Sequence, residues 1–589
     1  MKLPKLFALA ALAGAVTASP TVHPADLNVT IQGLMRNGIE VFLGIPYAED
    51  TSGANRFKPP VPYVPPPGAT IDATKAGPAC PQMHGMWNAP LTLSNISDTS
   101  EDCLNLNIAR PSGLGETKKL PVMVWIHGGS FWVGSNTEPT HQPDGLVLES
   151  IDSGFPVIHV AMNYRLGFFG FAQSEALEKE KSENAGLRDQ RLAIEWVRDH
   201  IAEFGGDPNR ITIFGQSSGG LAVGMQLLAY GGTKPLPFKQ GICESQALEP
   251  GITGNFSIDA MTKVVDYVGC NSTSGSVHSP EVITCLRLKD TETLRQAMLE
   301  TYVGDIAHNI GDIWLPVVDG DFLPAAPSQL IAEGRFGDAT YIMGWTQGDV
   351  NFFTNISITT ARDTFNFIQG YLPEMPADKV WMLLGLYPVS EFTPPPGTNL
   401  TAEFYRAARI FRDILMVCEP ILLAEGIRAH KDSPVYLYNW NQTILDPILE
   451  AVYNVSGMGV VHTSEFAYIY GNLSHYNVSG YPFNPTQEDY DLRDRASASW
   501  SVFPWFGSPW LQTGNTTLQG WNKALFQTHN DTAWLGPFPG YTYVMTIGGP
   551  REGYFALDGP DSIPEVSEQR LRERCTFIND PNIVQYLQY

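Results

Sequence analysis

The sequence predicts an α/β fold with a mostly parallel central sheet, helices on both faces and large insertions. Short apolar runs bounded by turn residues, 122–126 and 157–161, are typical of strands that are covered on both faces. Residues 187–204 carry apolar side chains at helical spacing and stop at a pair of glycines, and the alternating run 210–214 then predicts another strand. Strands that alternate with helices indicate parallel pairing, with a functional site at the carboxyl ends of the strands.

The segment Gly215-Gln216-Ser217-Ser218-Gly219 joins that last strand to an apolar run of helical spacing, 220–229. In a sharp turn between a strand and a helix, a serine hydroxyl stands clear of the sheet edge and the helix N-terminus faces it. Gly215 and Gly219 allow the strand and the helix to approach closely. The pattern therefore predicts that Ser217 is a nucleophile, with an ordinary turn that contains serine as the alternative.

The segment around Ser217 and several other runs resemble the type B carboxylesterase/lipase family, which includes cholinesterases and fungal lipases. The resemblance is specific in combination and extends to His462. It implies an α/β-hydrolase fold and a secreted serine esterase that uses no cofactor. The matching runs are Gly44-Ile45-Pro46-Tyr47-Ala48, Glu101-Asp102-Cys103-Leu104-Asn105-Leu106-Asn107, His127-Gly128-Gly129-Ser130-Phe131, Asn163-Tyr164-Arg165-Leu166-Gly167 and Asn184-Ala185-Gly186-Leu187-Arg188-Asp189-Gln190.

A serine hydroxyl needs a base and an orienting carboxylate, and in this fold they follow it in the order acid, histidine. His462 lies in a glycine-bearing segment, 459–466, that resembles the G-x-x-H-x-x-E histidine loop of the family. Asp349 stands where most relatives have glutamate, at the end of the strand-like run that starts at Tyr341, and Asp338 is the alternative acid. Glu465 is interpreted as a structural carboxylate because it lies only three residues beyond the histidine.

The oxyanion of an acyl-transfer reaction needs backbone N–H donors that are already in place. The resemblance assigns these donors to Gly129, Ser130 and Ser218. Ser130 replaces a frequent glycine and Ser218 a frequent alanine of the family. Both replacements are small, so we expect the backbone donors to be preserved.

The sequence favours small or medium soluble esters as substrates. A loop between Cys80 and Cys103 acts as an apolar lid in some fungal relatives, but here it carries Asp98, Glu101 and Asp102. These charges argue against a lipid-binding lid, so lipase or sterol esterase activity is kept only as an alternative. A choline-ester hydrolase is another, because Trp87 resembles the aromatic residue that receives quaternary ammonium groups in cholinesterases. Gln216 replaces the glutamate that assists there, which weakens this reading. A non-catalytic adhesion or binding protein is the alternative from another class.

The first residues of the chain predict export from the cell. Lys2 and Lys5 precede the apolar stretch 6–16, and small residues follow, so residues 1–18 are interpreted as a signal peptide and 19–589 as one α/β-hydrolase domain. No later apolar run approaches the roughly 20 residues that a membrane-spanning helix needs. Sequons for N-glycosylation occur at Asn28, Asn95, Asn255, Asn271, Asn355, Asn399, Asn441, Asn454, Asn472, Asn477, Asn515 and Asn530.

Seven cysteines indicate disulfides and at least one remaining thiol in a monomer. The resemblance implies the pairs Cys80–Cys103 and Cys270–Cys285. Cys243 follows a probable strand and is expected to be a buried, inert thiol. Cys418 and Cys575 either pair or are both free.

The formal net charge of −24 excludes the basic surface that nucleic-acid binding requires. The acidity favours solubility over a specific attraction of cationic substrates. The sequence contains no metal-binding or nucleotide-binding motif, so no metal or cofactor is expected. It carries no signal for an oligomeric state.

Overall fold

Most of the strands belong to one large sheet. The computed structural model describes residues 19–24, 28–83, 89–94, 96–114, 118–271, 276–305, 313–478, 480–525 and 542–589. The strands in these residues are β1 (Thr21–Val22), β2 (Thr30–Gln32), β3 (Leu34–Arg36), β4 (Ile39–Pro46), β5 (Thr70–Asp72), β6 (Asn105–Pro111), β7 (Leu120–Ile126), β8 (Ile158–Met162), β9 (Gly206–Gln216), β10 (Gln240–Glu244), β11 (Thr340–Thr346), β12 (Val435–Trp440), β13 (Tyr543–Ile547) and β14 (Gly553–Ala556).

In the described residues, the large sheet has the order β14-β13-β12-β11-β10-β9-β7-β8-β6-β4-β3. Neighbouring strands from β13 to β8 are parallel. The strands at the two edges pair antiparallel. A separate small sheet contains β1, β2 and β5. The expectation of a mostly parallel central sheet is confirmed, and the predicted strands at 122–126, 157–161 and 210–214 correspond to β7, β8 and β9 with shifted ends.

The predicted helix 187–204 is an α-helix that ends in a tighter turn. It comprises Ala185–His200, followed by a 3₁₀ turn Ile201–Phe204 that stops at Gly205, whose φ of 84° ends the helix. The helices of the described residues are α1 (Asp144–Asp152), α2 (Gly167–Phe171), α3 (Glu175–Lys179), α4 (Ala185–His200), α5 (Ser218–Leu228), α6 (Phe256–Tyr267), α7 (Pro280–Leu288), α8 (Thr291–Asp305), α9 (Pro327–Ala332), α10 (Ala361–Tyr371), α11 (Ala377–Gly385), α12 (Ala402–Arg412), α13 (Cys418–His430), α14 (Asp446–Tyr453), α15 (Phe466–Ile469), α16 (Gln487–Phe506), α17 (Pro564–Ser567), α18 (Leu571–Ile578) and α19 (Pro581–Leu587).

The sheet has a hydrophobic core on each face. Alternate residues of β7 enter different cores, because successive side chains of a strand point to opposite faces. Val124 belongs to the core that also contains side chains of α4 and α5, and Trp125 belongs to the core that also contains side chains of α15 and α16. Helices therefore cover both faces, and the carboxyl ends of β9, β10 and β11 meet at one edge.

Three disulfides occur in the described residues. They join Cys80 to Cys103, Cys270 to Cys285, and Cys418 to Cys575. The last pair, which the sequence leaves open, ties α13 to α18. Cys243 is a free, buried thiol in β10, and burial raises its pKa well above the ordinary value.

The structure places most of the predicted glycosylation sites at the surface. Asn28, Asn255, Asn271, Asn355, Asn399, Asn454, Asn477 and Asn515 are exposed, and Asn441 is half-buried. Asn472 is buried, and its Nδ2 donates to the carbonyl of Gln142 at 2.6 Å. The folded chain thus does not offer this side chain for glycosylation. Asn95, Asn530 and segment 1–18 lie outside the described residues.

Candidate active site

Ser217 occupies a strained turn between β9 and α5. Its backbone has φ 61° and ψ −129°, a region that non-glycine residues rarely adopt. The turn is close to the neighbouring chain: a Cβ atom on Gly219 would lie 2.2 Å from the carbonyl oxygen of Ile126. Ser217 N donates to the carbonyl of Glu244 at 2.9 Å, which fixes the turn to β10. Ser217 lines a cavity at the carboxyl edge of the sheet.

His462 and Asp349 form a buried pair next to this turn. Asp349 Oδ1 lies 2.5 Å from His462 Nδ1, and the carboxylate is fully buried. Its other oxygen accepts hydrogen bonds from Ser245 Oγ at 2.7 Å and from Thr346 N at 2.9 Å. The histidine backbone is held as well, because His462 N donates to the carbonyl of Asp349 at 3.1 Å. Neither oxygen of Asp349 needs a further partner.

The two other carboxylates considered from the sequence do not touch the imidazole. Asp338 precedes β11, at the opposite end of that strand, and accepts from Ser433 Oγ at 2.7 Å. Glu465 is fully buried, and within the described residues both its oxygens are without a hydrogen-bond partner. Burial raises its pKa well above the ordinary value and thereby favours the neutral acid.

Two residues of β10 and the loop after it contribute to the site, and sequence reasoning missed both. Ser245 holds Asp349, as described above. Glu244 is fully buried, accepts from the indole Nε1 of Trp500 at 2.7 Å, and has a pKa that burial raises to about 8. Both lie at the carboxyl end of β10, where this class of fold places its sites, but no strand was predicted from the sequence at 240–244.

Gln216 contacts the second nitrogen of the imidazole. Its side-chain Nε2 donates to His462 Nε2 at 2.9 Å, and the residue is buried. Within the described residues, no hydrogen bond joins the hydroxyl of Ser217 to His462. Trp87, the other predicted pocket residue, lies outside the described residues.

The loop that follows β7 brings backbone donors to the same place. Gly129 and Ser130 have φ values of 105° and 55°. A Cβ atom on Gly128 would lie 3.0 Å from Ser217 Cβ, so the loop packs directly on the turn. Ser218 Oγ accepts from Phe131 N at 3.2 Å and ties the loop to α5. In the described part of the chain, the N–H groups of Gly129, Ser130 and Ser218 donate to no other group.

These groups open into an apolar cavity of about 450 Å³. Aromatic and aliphatic side chains line most of it, whereas Glu138, His141 and Gln82 contribute polar groups. The apolar lining side chains are Met83, Leu91, Ile96, Trp132, Val133, Tyr302, Phe352, Phe353 and Phe466. No cluster of three or more His, Cys, Asp or Glu side chains in the described residues could hold a metal ion.

The loop closed by Cys80 and Cys103 is less polar toward the cavity than its sequence suggests. Glu101 is buried, and both its oxygens bind the guanidinium of Arg56, at 2.6 and 2.7 Å. Its charge therefore does not reach the surface of the loop, in contrast to the expectation from sequence. Asp98 and Asp102 remain exposed.

The same loop is anchored to the wall of the cavity by one carboxylate. Glu138 is buried and accepts from Leu93 N at 2.7 Å and from Ser94 N at 3.2 Å. It also accepts from the hydroxyl of Ser94. These bonds fix the loop backbone beside the cavity. Among the described residues, no helix is both long enough and apolar enough to span a bilayer.

Comparisons with known proteins extend over nearly the whole chain. The chain is 50% identical over 587 residues to a secreted lipase of Arthroderma benhamiae, covering 99% of both chains. It is 34% identical to lipase 4 of Diutina rugosa over 443 residues, which are 70% of this chain and 78% of that lipase. An inactive carboxylesterase-like protein of Byssochlamys spectabilis is also 34% identical, over 95% of this chain and 94% of that protein.

Solved structures of esterases share the fold. The EstA protein of Aspergillus niger superposes with a TM-score of 0.72 at 22% identity, covering 97% of this chain and 99% of that one. A thermophilic PNB esterase gives a TM-score of 0.71 at 24% identity, covering 94% of this chain and 100% of that one. These neighbours confirm the α/β-hydrolase fold. A model of the carboxylesterase family matches residues 27–536. The chain therefore belongs to the carboxylesterase family and is a carboxylic ester hydrolase.

Proposed function

We propose that Ser217, His462 and Asp349 form the catalytic triad of this hydrolase. The observation that carries the proposal is the buried Asp349–His462 pair, 2.5 Å between Oδ1 and Nδ1, beside a serine on a strained strand-to-helix turn. Asp349 holds the proton on Nδ1, which leaves Nε2 as the base that faces the cavity. Catalytic hydrogen bonds to the nucleophile often tighten only when substrate is bound.

The proposed reaction has two steps. His462 Nε2 takes the Ser217 proton while Oγ bonds to the ester carbonyl carbon, and the carbonyl oxygen becomes an oxyanion. The N–H groups of Gly129, Ser130 and Ser218 stabilise this charge. Collapse breaks the bond to the alcohol, which leaves with the proton from Nε2. Water then attacks the acyl-enzyme by the same route, which releases the acid and restores Ser217.

The cavity supports small or medium neutral esters with an apolar acyl group. Its volume of about 450 Å³ and apolar lining suit such a group. Gln216 carries no charge, so the position directly before Ser217 lacks the acid that would favour a choline ester. Pure binding without catalysis is a weaker candidate, because the residues that the reaction needs are all present.

Lipase activity is the second candidate. Two observations favour it: the relatives described above include a secreted lipase and lipase 4 of Diutina rugosa, and the described part of the disulfide-closed loop lines the cavity with the apolar side chains Met83, Leu91 and Ile96. The anchoring of Leu93 and Ser94 by Glu138 favours a fixed wall at this part of the loop over a mobile lid. We therefore place soluble esters first.

We further propose that the chain is a secreted glycoprotein. Residues 1–18 would be removed as a signal peptide, and residues 19–589 would form one catalytic domain. The disulfides and the similarity to a secreted lipase support export, since such bonds persist in oxidising compartments.

Hydrolysis of p-nitrophenyl esters from acetate to palmitate tests the proposal. We expect activity with an optimum at short or medium acyl chains and its loss in Ser217→Ala. Ser218→Ala is the matched control: it keeps the backbone donor and loses one hydrogen bond, so we expect less than about a tenfold decrease. An optimum at long chains, with a sharp rise at an oil–water interface, would favour the lipase. Absence of activity in the wild-type protein would instead favour a binding role.

A further inference from the structure

Both ring nitrogens of His462 are engaged, and neither partner is the proposed nucleophile. Asp349 lies 2.5 Å from Nδ1, and the side-chain amide of Gln216 lies 2.9 Å from Nε2. Nε2 is the atom that has to take the proton of Ser217 in the proposed reaction. Gln216 therefore occupies the position from which the reaction starts.

The protonation of the ring follows from the hydrogen bonds around Asp349. Its Oδ2 accepts from Ser245 Oγ and from Thr346 N, and its Oδ1 faces the imidazole, so the carboxylate is an acceptor on all sides. The proton then resides on Nδ1 of His462, and Nε2 of the neutral ring is an acceptor. This network assigns the N–H₂ end of the Gln216 amide, and not its oxygen, to Nε2.

The position of Gln216 in the fold explains the contact. It is the last residue of β9 and pairs in register with Glu244 of β10. The chain turns sharply at the next residue, so the Gln216 side chain reaches the imidazole while Ser217 faces the cavity. Gln216 also lines this cavity. A substrate that fills the cavity is thus adjacent to the amide.

We propose that Gln216 is a positioning residue that competes with Ser217 for Nε2 of His462. In the free enzyme the amide holds the imidazole in a resting state. A bound ester displaces the amide, and Nε2 then accepts from Ser217. The inference rests on the proposed triad.

Two measurable consequences follow from the competition. Removal of the amide donor frees Nε2, so Ser217 of the free enzyme reacts faster with a small electrophile. The donated hydrogen bond also favours the neutral imidazole over the imidazolium. Its loss therefore moves the acid limb of the kcat/KM profile to higher pH. One hydrogen bond of ordinary strength corresponds to a rate change of roughly two- to tenfold and a shift of about 0.4 to 1 pH unit.

The titratable groups near the imidazole include Asp349, on the loop after β11, Glu244, on β10, and Glu465, on the histidine's own loop. Across the cavity stand His127, Glu138 and His141, on the segment that follows β7. Burial raises the pKa of Glu244 to about 8 and that of Glu465 well above the ordinary value. Burial therefore favours the neutral form of both carboxyl groups. A shift of the limb between pH 5 and 7 thus reports on the imidazole and its direct partners.

The experiment uses Gln216→Met, which keeps the length of the side chain and removes the donor, and Gln216→Glu, which replaces the donor with an acceptor. The readouts are the rate of phosphorylation by diethyl p-nitrophenyl phosphate and the pH profile of kcat/KM for p-nitrophenyl butyrate. We expect the methionine variant to react about two- to tenfold faster and its acid limb to rise by about 0.4 to 1 pH unit. The glutamate variant should show a larger rise of the limb.

Gln82→Met is the matched control, because Gln82 lines the same cavity but donates to the carbonyls of Cys80 and Gly134 instead of to the imidazole. Its acid limb should stay in place. If phosphorylation of Gln216→Met is unchanged or slower, or if the acid limb of its kcat/KM profile does not move, Gln216 only lines the cavity and the proposal is wrong. A limb that falls would mean that the amide oxygen faces the ring, which also overturns the proposal. Circular dichroism checks that each variant is folded.

These outcomes differ from a failure of the proposed triad. If the triad is wrong, the wild-type protein hydrolyses esters without phosphorylation of Ser217. If only the role of Gln216 is wrong, Ser217 is phosphorylated in the wild-type protein and in the methionine variant at the same rate.

Discussion

Asp349→Asn is expected to reduce kcat severely without unfolding the site. Oδ2 of Asp349 accepts hydrogen bonds from Ser245 Oγ and Thr346 N. In the variant, the asparagine amide oxygen has to occupy the position of Oδ2, because only an oxygen can accept these two bonds. The N–H₂ group must then face His462 Nδ1, which becomes an acceptor. The imidazole proton moves to Nε2. A ring in this tautomer cannot take the proton of Ser217.

The magnitude follows from the same tautomer change in other serine hydrolases, where it lowers kcat about 10⁴-fold, equivalent to about 5.4 kcal/mol of transition-state stabilisation. The assay is the steady-state hydrolysis of p-nitrophenyl butyrate, in which we expect KM to change little because Asp349 does not line the cavity. Asp338→Asn is the matched control, since Asp338 is exposed and accepts a hydrogen bond from Ser433 instead of from the catalytic groups. A kcat within tenfold of wild type for Asp349→Asn would refute the reasoning.

Three further predictions concern stability. Glu101→Gln leaves the buried guanidinium of Arg56 without its carboxylate, so we expect a loss of about 3 to 5 kcal/mol in the free energy of unfolding, measured by urea denaturation. Replacement of Cys418 and Cys575 by alanine removes a crosslink over 157 residues and should cost about 2 to 5 kcal/mol in the same assay. Glu244 has a folded pKa of about 8 against an ordinary value of 4.5. Its contribution to stability is therefore present below pH 4.5 and lost as the pH rises through 8. Glu244→Gln should match the melting temperature of wild type near pH 4.5 and exceed it at pH 8.5.

Each of these predictions has a clear contrary result. A Glu101→Gln variant as stable as wild type would mean that Arg56 is compensated elsewhere. Equal stability with and without Cys418 and Cys575 would show that the crosslink does not constrain the unfolded chain. Parallel pH profiles for wild type and Glu244→Gln would show that Glu244 does not titrate in that range.

Local patterns were sufficient to predict the fold class and the turn that carries Ser217. The strand and helix periodicity around Ser217 and the spacing of the glycines there involve residues that are close in sequence. These features can therefore be recognised without the structure. His462 and Asp349 were predicted from the family resemblance, although most relatives have glutamate at the position of Asp349. The structure places their ring and carboxylate 2.5 Å apart, at the carboxyl edge of the sheet where the sequence predicted the site.

Side-chain partners between distant segments could not be predicted. The loop around Glu101 looked polar because the sequence does not show that Arg56 buries this carboxylate. Asn472 satisfies the sequon pattern, but packing against the loop at Gln142 buries it. The contact between Gln216 and His462 likewise depends on side-chain conformation at a tertiary junction, 246 residues apart in sequence.

The most direct test of the central claim locates the covalent adduct of diethyl p-nitrophenyl phosphate by mass spectrometry. Cleavage with trypsin releases Ser217 in the peptide 211–239, in which fragment ions distinguish Ser217 from Ser218. We predict one diethylphosphoryl group on Ser217, formed in parallel with the loss of esterase activity, and no adduct in Ser217→Ala. Complete inactivation with the phosphoryl group on another residue would contradict the assignment of Ser217 as the nucleophile.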